Sequence, residues 1–369
     1  MIFKVNRKNL ASALKTVSAC VQSRCVLPII NNALFEAGEG KLKITCTNLV
    51  QRITVTIDAD APEQGTTTIP AKKLLSILDA LAGNEVTLDC NTETFHTELS
   101  CGRSRIKLLG LNPKDFPNLA EINREYTVQM ESAKLRNIIE HTQYAISVNE
   151  ARKVMEGMLF DVSGNQIVGV AMDGKRCAVS QVDLASPVEQ DFSRIIPADA
   201  LSFLRNINQD KVYLVFDDGK HLVAFSGDIV FESKLIEGNY PNWRQVVPPA
   251  FNYKAEIPAS DFLAKLNIMS MICAESGTFY VDLTFRENSL VFHADSASSG
   301  SADDMLEIKT DGIGAKDELA LTFNPLMLAD AVKTCNDAAF RIEINNGQSP
   351  VKLDFGKGSF CVLMPIRKK

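Results

Sequence analysis

The chain has 369 residues, of which 46% are hydrophobic and 23% charged, and a formal net charge of -6. Its length and apolar content suffice for two or three domains with real cores and exclude a disordered chain, while the negative balance excludes a surface that coats nucleic acid everywhere, leaving only a locally basic face. Lys4, Arg7, Lys8, Lys15 and Arg24 interrupt the first apolar residues and no later run reaches a membrane span, so a cytoplasmic protein without membrane contact is expected.

Phe3-Lys4-Val5 reads as a short strand, and the spacing of Leu10, Leu14 and Val17 predicts a helix over 8–17. A hairpin follows, Leu34-Phe35 turning through Gly38-Glu39-Gly40 to Leu42-Ile44, and then a strand over Arg52-Ile57. Ile69-Pro70-Ala71 opens a second helix with Leu74, Leu75, Leu78 and Leu81 on one face. The same order then recurs. Tyr126-Thr127-Val128 precedes a helix marked by Leu135, Ile138 and Ile139; Leu159-Phe160 turns at Gly164-Asn165 into Ile167-Val170; Ile196-Pro197-Ala198 opens a helix with Leu201, Leu204 and Ile207. A third round runs from Tyr253-Lys254-Ala255 through Phe262, Leu263 and Leu266, a hairpin at Asn288, and Phe323-Asn324-Pro325 before Leu328, Val332 and Cys335.

The second junctions of the three rounds, at 69, 196 and 323, are 127 residues apart. Self-similarity at one fixed period marks repeated structural units. A unit with two helices and a majority of strands suits an α+β domain, helices over antiparallel sheet. Three tandem domains are therefore expected, 1–125, 126–249 and 250–369, with boundaries near Glu125 and the Pro248-Pro249 pair.

Residues that could carry chemistry are scattered. The four histidines (His96, His141, His221, His293) form no metal-ligand spacing, and neither a nucleophile elbow nor a phosphate loop is present. Asp217-Asp218-Gly219 reads as a hairpin turn before it reads as a metal site, and Gly312-x-Gly314 lies in a polar connector. Nine cysteines, an odd set without a Cys-x-x-Cys pair, sit mostly at apolar positions, where reduced buried thiols are expected. No catalytic residue, metal or cofactor is expected.

Charge is unevenly placed. The predicted helices (8–17, 71–81, 132–142, 198–207, 260–270, 325–334) carry nine cations (Lys8, Lys15, Lys72, Lys73, Lys134, Arg136, Arg205, Lys265, Lys333) and five anions, +4 in a chain of -6. This fits six helices lining one electropositive side, and equally six ordinary solvated helix faces. The chain ends in Ser359-Phe360-Cys361-Val362-Leu363-Met364-Pro365-Ile366 followed by Arg367, Lys368 and Lys369. That segment reads either as an edge strand with a solubilising tail or as the wall of a surface groove.

Over its entire length the sequence resembles the bacterial DNA polymerase III beta-subunit family. The resemblance rests on Thr68-Ile69-Pro70-Ala71-Lys72-Lys73, Ser100-Cys101-Gly102-Arg103-Ser104-Arg105, Asp115-Phe116-Pro117-Asn118, Gly157-Met158-Leu159-Phe160 and Asp173-Gly174-Lys175-Arg176. It continues in Ser233-Lys234-Leu235-Ile236-Glu237-Gly238-Asn239-Tyr240-Pro241, Ser349-Pro350-Val351 and Val362-Leu363-Met364-Pro365-Ile366-Arg367. It implies a DNA clamp fold and a head-to-tail homodimer, a ring whose helices line a hole for double-stranded DNA, held without sequence specificity, with antiparallel sheets outside. The implied function is a non-catalytic processivity factor; the implied partners are the replicative polymerase catalytic subunit, the clamp loader and other proteins carrying a short clamp-binding peptide.

Carried over by position, Arg24, Lys72 and Asn149 would face DNA, Asn149 standing where a longer Gln is familiar and Asp79 where a cation is. The partner-peptide groove would comprise Met155, Met172, Gly174, Lys175, Arg176, Cys177, Pro241, Val246, Asn324, Met327, Pro350, Val362, Leu363, Met364, Pro365, Ile366 and Arg367. Arg176 and Arg367 would reach the peptide at its rim, and Cys177 replaces a larger aliphatic residue. The dimer seam would join Arg103, Arg105, Ile106, Lys107 and Leu108 to Met271 and Ile272, with few acids on the strand Ser296–Asp304. An enzyme assembled only in three dimensions, or a scaffold binding proteins alone, are the competing readings.

Overall fold

The structure, a computed structural model, describes residues 1–21, 27–117, 126–217, 219–273 and 279–367. Six helices follow the predicted order: α1 (Arg7–Val17), α2 (Ala71–Ala80), α3 (Ser132–Thr142), α4 (Ala198–Leu204), α5 (Ala259–Cys273) and α6 (Pro325–Val332). Each starts within two residues of the end of a strand, so the strand-to-helix junction is the repeated local event. At α1 the Asn6 carboxamide oxygen accepts from the amides of Lys8 and Asn9, satisfying donors that an open helix start leaves bare. Three helices are shorter than the periodicity predicts, leaving Leu81, Ile207 and Cys335 beyond their ends, and α5 is longer, taking in Met271 and Ile272.

The chain divides into two compact units. The first, Met1–Ser132 with Asn206–Leu235, holds a five-stranded sheet edged by Ser104–Leu109 and an eight-stranded sheet. In the latter, Ile229–Lys234 pairs antiparallel with Gln51–Asp58, Ile229 opposite Val55. The second unit, Ala133–Arg205 with Ile236–Lys369, holds a nine-stranded sheet and a four-stranded one. There Arg176–Asp183 pairs with the terminal strand Phe360–Leu363, Cys177 opposite Val362.

The predicted hairpins form in register, Phe35 opposite Ile44, Leu159 opposite Val170 and Leu283 opposite Phe292. Asp217 is a turn residue: Oδ1 accepts from the amides of Gly219, Lys220 and His221, and Oδ2 lies 2.7 Å from His221 Nδ1. Burial opposes the charge of this carboxyl, but its bonds from His221 and Lys220 win and hold its pKa below the usual Asp range. Of the eight described cysteines seven are buried. Cys25 lies outside the described residues. Among the described residues no helix is long and apolar enough to cross a membrane.

Candidate functional site

Strand alternation builds a small apolar floor on one face of the nine-stranded sheet. Met172, Cys177 and Val362 stand opposite one another on three adjacent strands, and Val170, Val179 and Phe360 form the next row. Met155, 1% exposed, and Leu159 join them in one cluster. Part of this floor lies under the connector after residue 235, from which Ile236, Tyr240, Trp243 and Val247 pack down. The Trp243 ring lies 6.5 Å from that of Phe360, and the Arg244 guanidinium lies over the Trp243 ring at 4.5 Å. Burial raises the Cys177 thiol pKa to about 12, so at neutral pH it is a small apolar wall residue.

The same alternation corrects one expected groove member. Leu363 is 1% exposed and belongs to the third-domain core with Val351, Leu353 and Phe340. Consecutive strand residues point to opposite faces, so Val362 and Leu363 cannot share a wall. Beyond the strand, the Met364 amide donates to the Lys175 carbonyl at 2.9 Å and the Ile366 amide to the Thr322 carbonyl at 2.7 Å. Pro365, which has no amide proton, falls between these bonds and is buried. The tail is thus a pinned rib that leaves Met364 42% and Ile366 41% exposed.

Arg176 is a second correction. Its Nε donates to Asp173 Oδ2 at 3.0 Å, Nη1 to Asp330 Oδ2 at 3.1 Å, and Nη2 to the Tyr144 carbonyl. The side chain is 10% exposed, and the Tyr144 ring lies 5.2 Å from the guanidinium. Burial works against its charge, and Asp330 and Asp173 outweigh burial, holding its pKa above the ordinary Arg value. Arg176 therefore braces the site from inside, with each of its three guanidinium nitrogens bonded within the chain. Gly174, at φ +82, makes the turn that brings Arg176 back over Asp173.

On the α6 side, Asn324 is the helix cap, its Oδ1 accepting from the amides of Leu326 at 2.9 Å and Met327 at 3.3 Å. Met327 packs on the third-domain core, Pro350 is half-buried, and the Arg176–Asp330 bond ties α6 to the Lys175 turn. Val246 is 39% exposed and Pro241 half-buried on the connector. The sequence reading missed Tyr240 and Trp243, which cover the floor, and Leu326, 51% exposed beside the Asn324 cap. Two aromatics bracketing Pro241 in an irregular connector were the available signal.

Of the expected DNA-facing residues, Arg24 lies outside the described residues. Lys72 is exposed in the first turn of α2, and Asn149 is exposed at φ +56 beside Val148, 85% exposed. Lys265, counted among the helix cations, is bound to Asp304 at 2.7 Å.

Ser104–Leu109 is one edge of the five-stranded sheet in the first unit, and Gly300–Glu307 is one edge of the four-stranded sheet in the second. On the first, Arg105 and Lys107 are exposed and Ile106 is half-buried, and Arg103 is exposed in the turn before it. Leu108, expected at a seam, is 2% exposed in its own domain, whereas Leu109 beside it is 66% exposed. Met271 is 64% exposed at the end of α5, while Ile272 packs partly on the third-domain core. Asp303 and Asp304 are answered within the chain by His293 and Lys265. Among the described residues no group of three or more His, Cys, Asp or Glu is gathered as a metal site.

Three sequence models of one family match in succession: the DNA polymerase III beta subunit N-terminal domain over residues 1–120, its central domain over 129–242 and its C-terminal domain over 244–366. The beta sliding clamps of Vibrio cholerae and Escherichia coli are 27% and 28% identical to this chain, each over 100% of both chains. Among solved structures, the DNA polymerase sliding clamp of Bacillus subtilis has the same fold, with a TM-score of 0.95 at 21% identity. The sliding clamp of Pseudomonas aeruginosa crystallised with a ligand has a TM-score of 0.92 at 25% identity, and both comparisons cover 100% of each chain.

Proposed function

The chain belongs to the DNA polymerase III beta-subunit family, the beta sliding clamps, and on that premise we propose that two copies close head to tail around duplex DNA in the cytoplasm. It is a processivity factor without chemistry of its own, a tether between a DNA polymerase and its template. The observation that carries this is the succession of three clamp-domain matches, in family order, between residue 1 and residue 366.

The physics of sliding fits the charge pattern. Each phosphate neutralised by a Lys or Arg adds salt-dependent affinity and holds the protein in place. A chain of net charge -6 with exposed Lys8, Lys15, Lys72 and Lys73 on α1 and α2 favours few, weak contacts. Arg24 and Asn149 are proposed as further contacts. The seam joins the open edge Ser104–Leu109 of one copy to Gly300–Glu307 of the other, with Leu109 and Met271 supplying apolar area.

Replicative polymerase, loader and other partners dock a short peptide on the floor of Met172, Cys177 and Val362, beside the Met364 rib. Flexible, polarizable Met and Cys walls accept Leu or Phe anchors from unrelated partners. The function is tested by primer extension with a cognate polymerase and loader: addition of the chain should lengthen products made in one binding event. Unchanged product length with sedimentation at the monomer mass would overturn the reading.

A further inference from the structure

Asn346-Gly347 is the one Asn-Gly step in the sequence. It lies in the turn between the strands Ala339–Ile344 and Val351–Asp354, and Asn346 is exposed. Asn346 Oδ1 accepts from the amides of Gln348 and Ser349, each at 2.9 Å, so the carboxamide folds back over the main chain that follows it. The same two donors draw electron density from Cγ and stand ready for the charge that forms on Oδ1 when a nucleophile adds there. The nucleophile next in the chain is the Gly347 amide nitrogen, which no side chain shields. Packing requires glycine at that position, because a Cβ would lie 2.7 Å from the Ala320 carbonyl oxygen. Two other asparagines lack this combination. Asn91 makes the same turn, its Oδ1 accepting from the amides of Glu93 and Thr94, but the β-branched Thr92 follows it. Asn345 is held at both ends of its carboxamide, by the Asn252 amide and the Ala250 carbonyl.

We propose that Asn346 is a site of spontaneous covalent modification, converting through a cyclic imide to aspartate and isoaspartate. The Gly347 amide gives its proton to hydroxide, and its nitrogen bonds to Asn346 Cγ. The Cγ–Nδ2 bond then breaks, and Nδ2 takes a proton from water and leaves as ammonia. Water opens the ring in one of two ways. Cleavage of the new bond at Cγ gives aspartate; cleavage of the original bond between the Gly347 nitrogen and the Asn346 carbonyl carbon gives isoaspartate, whose main chain runs through Cβ and Cγ. Nothing is oxidised or reduced. Either product adds one negative charge to an exposed turn, and isoaspartate lengthens the main chain by one atom. Gly347 and Gln348 line a cleft together with the tail residues Ile366 and Arg367, and Gly347 fits against Ala320 without room for a methyl group, so the longer chain lifts the turn from the sheet. Pro350 follows three residues later, and weaker peptide docking is the consequence, a point that rests on the groove reading above.

The test incubates the full chain in mildly alkaline buffer for several days and maps it by proteolysis and mass spectrometry, counting isoaspartate by labelled methyl transfer from an isoaspartyl methyltransferase. The peptide holding Asn346 should gain its acidic form at least tenfold faster than the peptide holding Asn91, and faster still as pH rises. Asn346→Gln, which keeps the charge but would need a six-membered ring, should remove most of the methyl acceptance. Equal rates at Asn346 and Asn91, or undiminished methyl acceptance in Asn346→Gln, overturns the modification. In a second arm a fluorescein-labelled Gln-x-x-Leu-Phe peptide is read by anisotropy. It should bind the isoaspartyl fraction, separated by anion exchange, at least fivefold more weakly than fresh chain or freshly purified Asn346→Asp, which carries the charge on a main chain of ordinary length. Equal affinity of isoaspartyl and fresh chains overturns the docking consequence alone, whereas failure of the fresh chain to bind the peptide overturns the groove reading and leaves the conversion to be judged by the first arm.

Discussion

Arg176→Ala separates an internal brace from a peptide contact. The substitution removes bonds to Asp173, Asp330 and the Tyr144 carbonyl, and leaves Asp173 with 16% exposure and no cation. A hydrogen bond to a charged group contributes about 1.5–3 kcal/mol, and removing one partner of a buried pair costs about 3–5. Asp330, 42% exposed, recovers water and discounts its share, so a loss of about 3 kcal/mol is expected. Trp243, the single tryptophan, lies in the same compact unit and reports its unfolding by fluorescence. With a urea slope of about 3 kcal/mol/M, the midpoint should fall by about 1 M. Arg176→Lys should recover part of it. A variant with wild-type stability that has lost only peptide affinity would refute the brace and restore Arg176 to the rim.

Met364→Ala should weaken anchor-peptide binding by about 2 kcal/mol, the scale of a lost hot spot, and leave the urea midpoint within about 0.5 kcal/mol because the side chain is 42% exposed; equal peptide affinity by anisotropy would remove Met364 from the groove. Met271→Glu should give folded monomers at sub-micromolar concentration by sedimentation, whereas Leu108→Ala should lower stability by about 2–5 kcal/mol through a cavity in the first domain; a stable Leu108→Ala monomer would reverse that assignment. Asp217 and Asp354 have folded pKa values below normal, burial being outweighed by bonds from His221 and from Gly356 and Lys352 respectively. Their stabilisation is present above the ordinary Asp value of about 3.9 and lost as pH falls through the folded values, so the urea midpoint should drop below about pH 4, less steeply in Asp217→Asn. An Asp217→Asn profile parallel to wild type would contradict it.

Much of the fold was legible because its signals are local. Ile69-Pro70 and Ile196-Pro197 each end a strand and start a helix within two residues, and the Gly164-Asn165 turn fixes its own hairpin. Long-range pairing was not legible: nothing near Ile229 announces Val55 as its partner. The same limit governs the site. Asp173 is three residues from Arg176 and readable as a mate, but Asp330 is 154 residues away, and without it Arg176 reads as a free rim cation. Treating Val362, Leu363 and Met364 as one wall ignored the period of two that turns Leu363 into the core. Met271, 64% exposed, was assigned to the seam by resemblance, while its place on α5 follows from a helix that is apolar enough to continue to Cys273.

Encirclement is tested most directly by topology. The chain, loaded onto a nicked circular plasmid by a cognate loader and passed over a sizing column at moderate salt, should elute with the DNA; cutting the plasmid once should release it, and Lys72→Glu with Lys8→Glu should lower the amount loaded without changing the dimer. Equal retention on circular and linear DNA, or none on either, would contradict a ring that holds its template by enclosure.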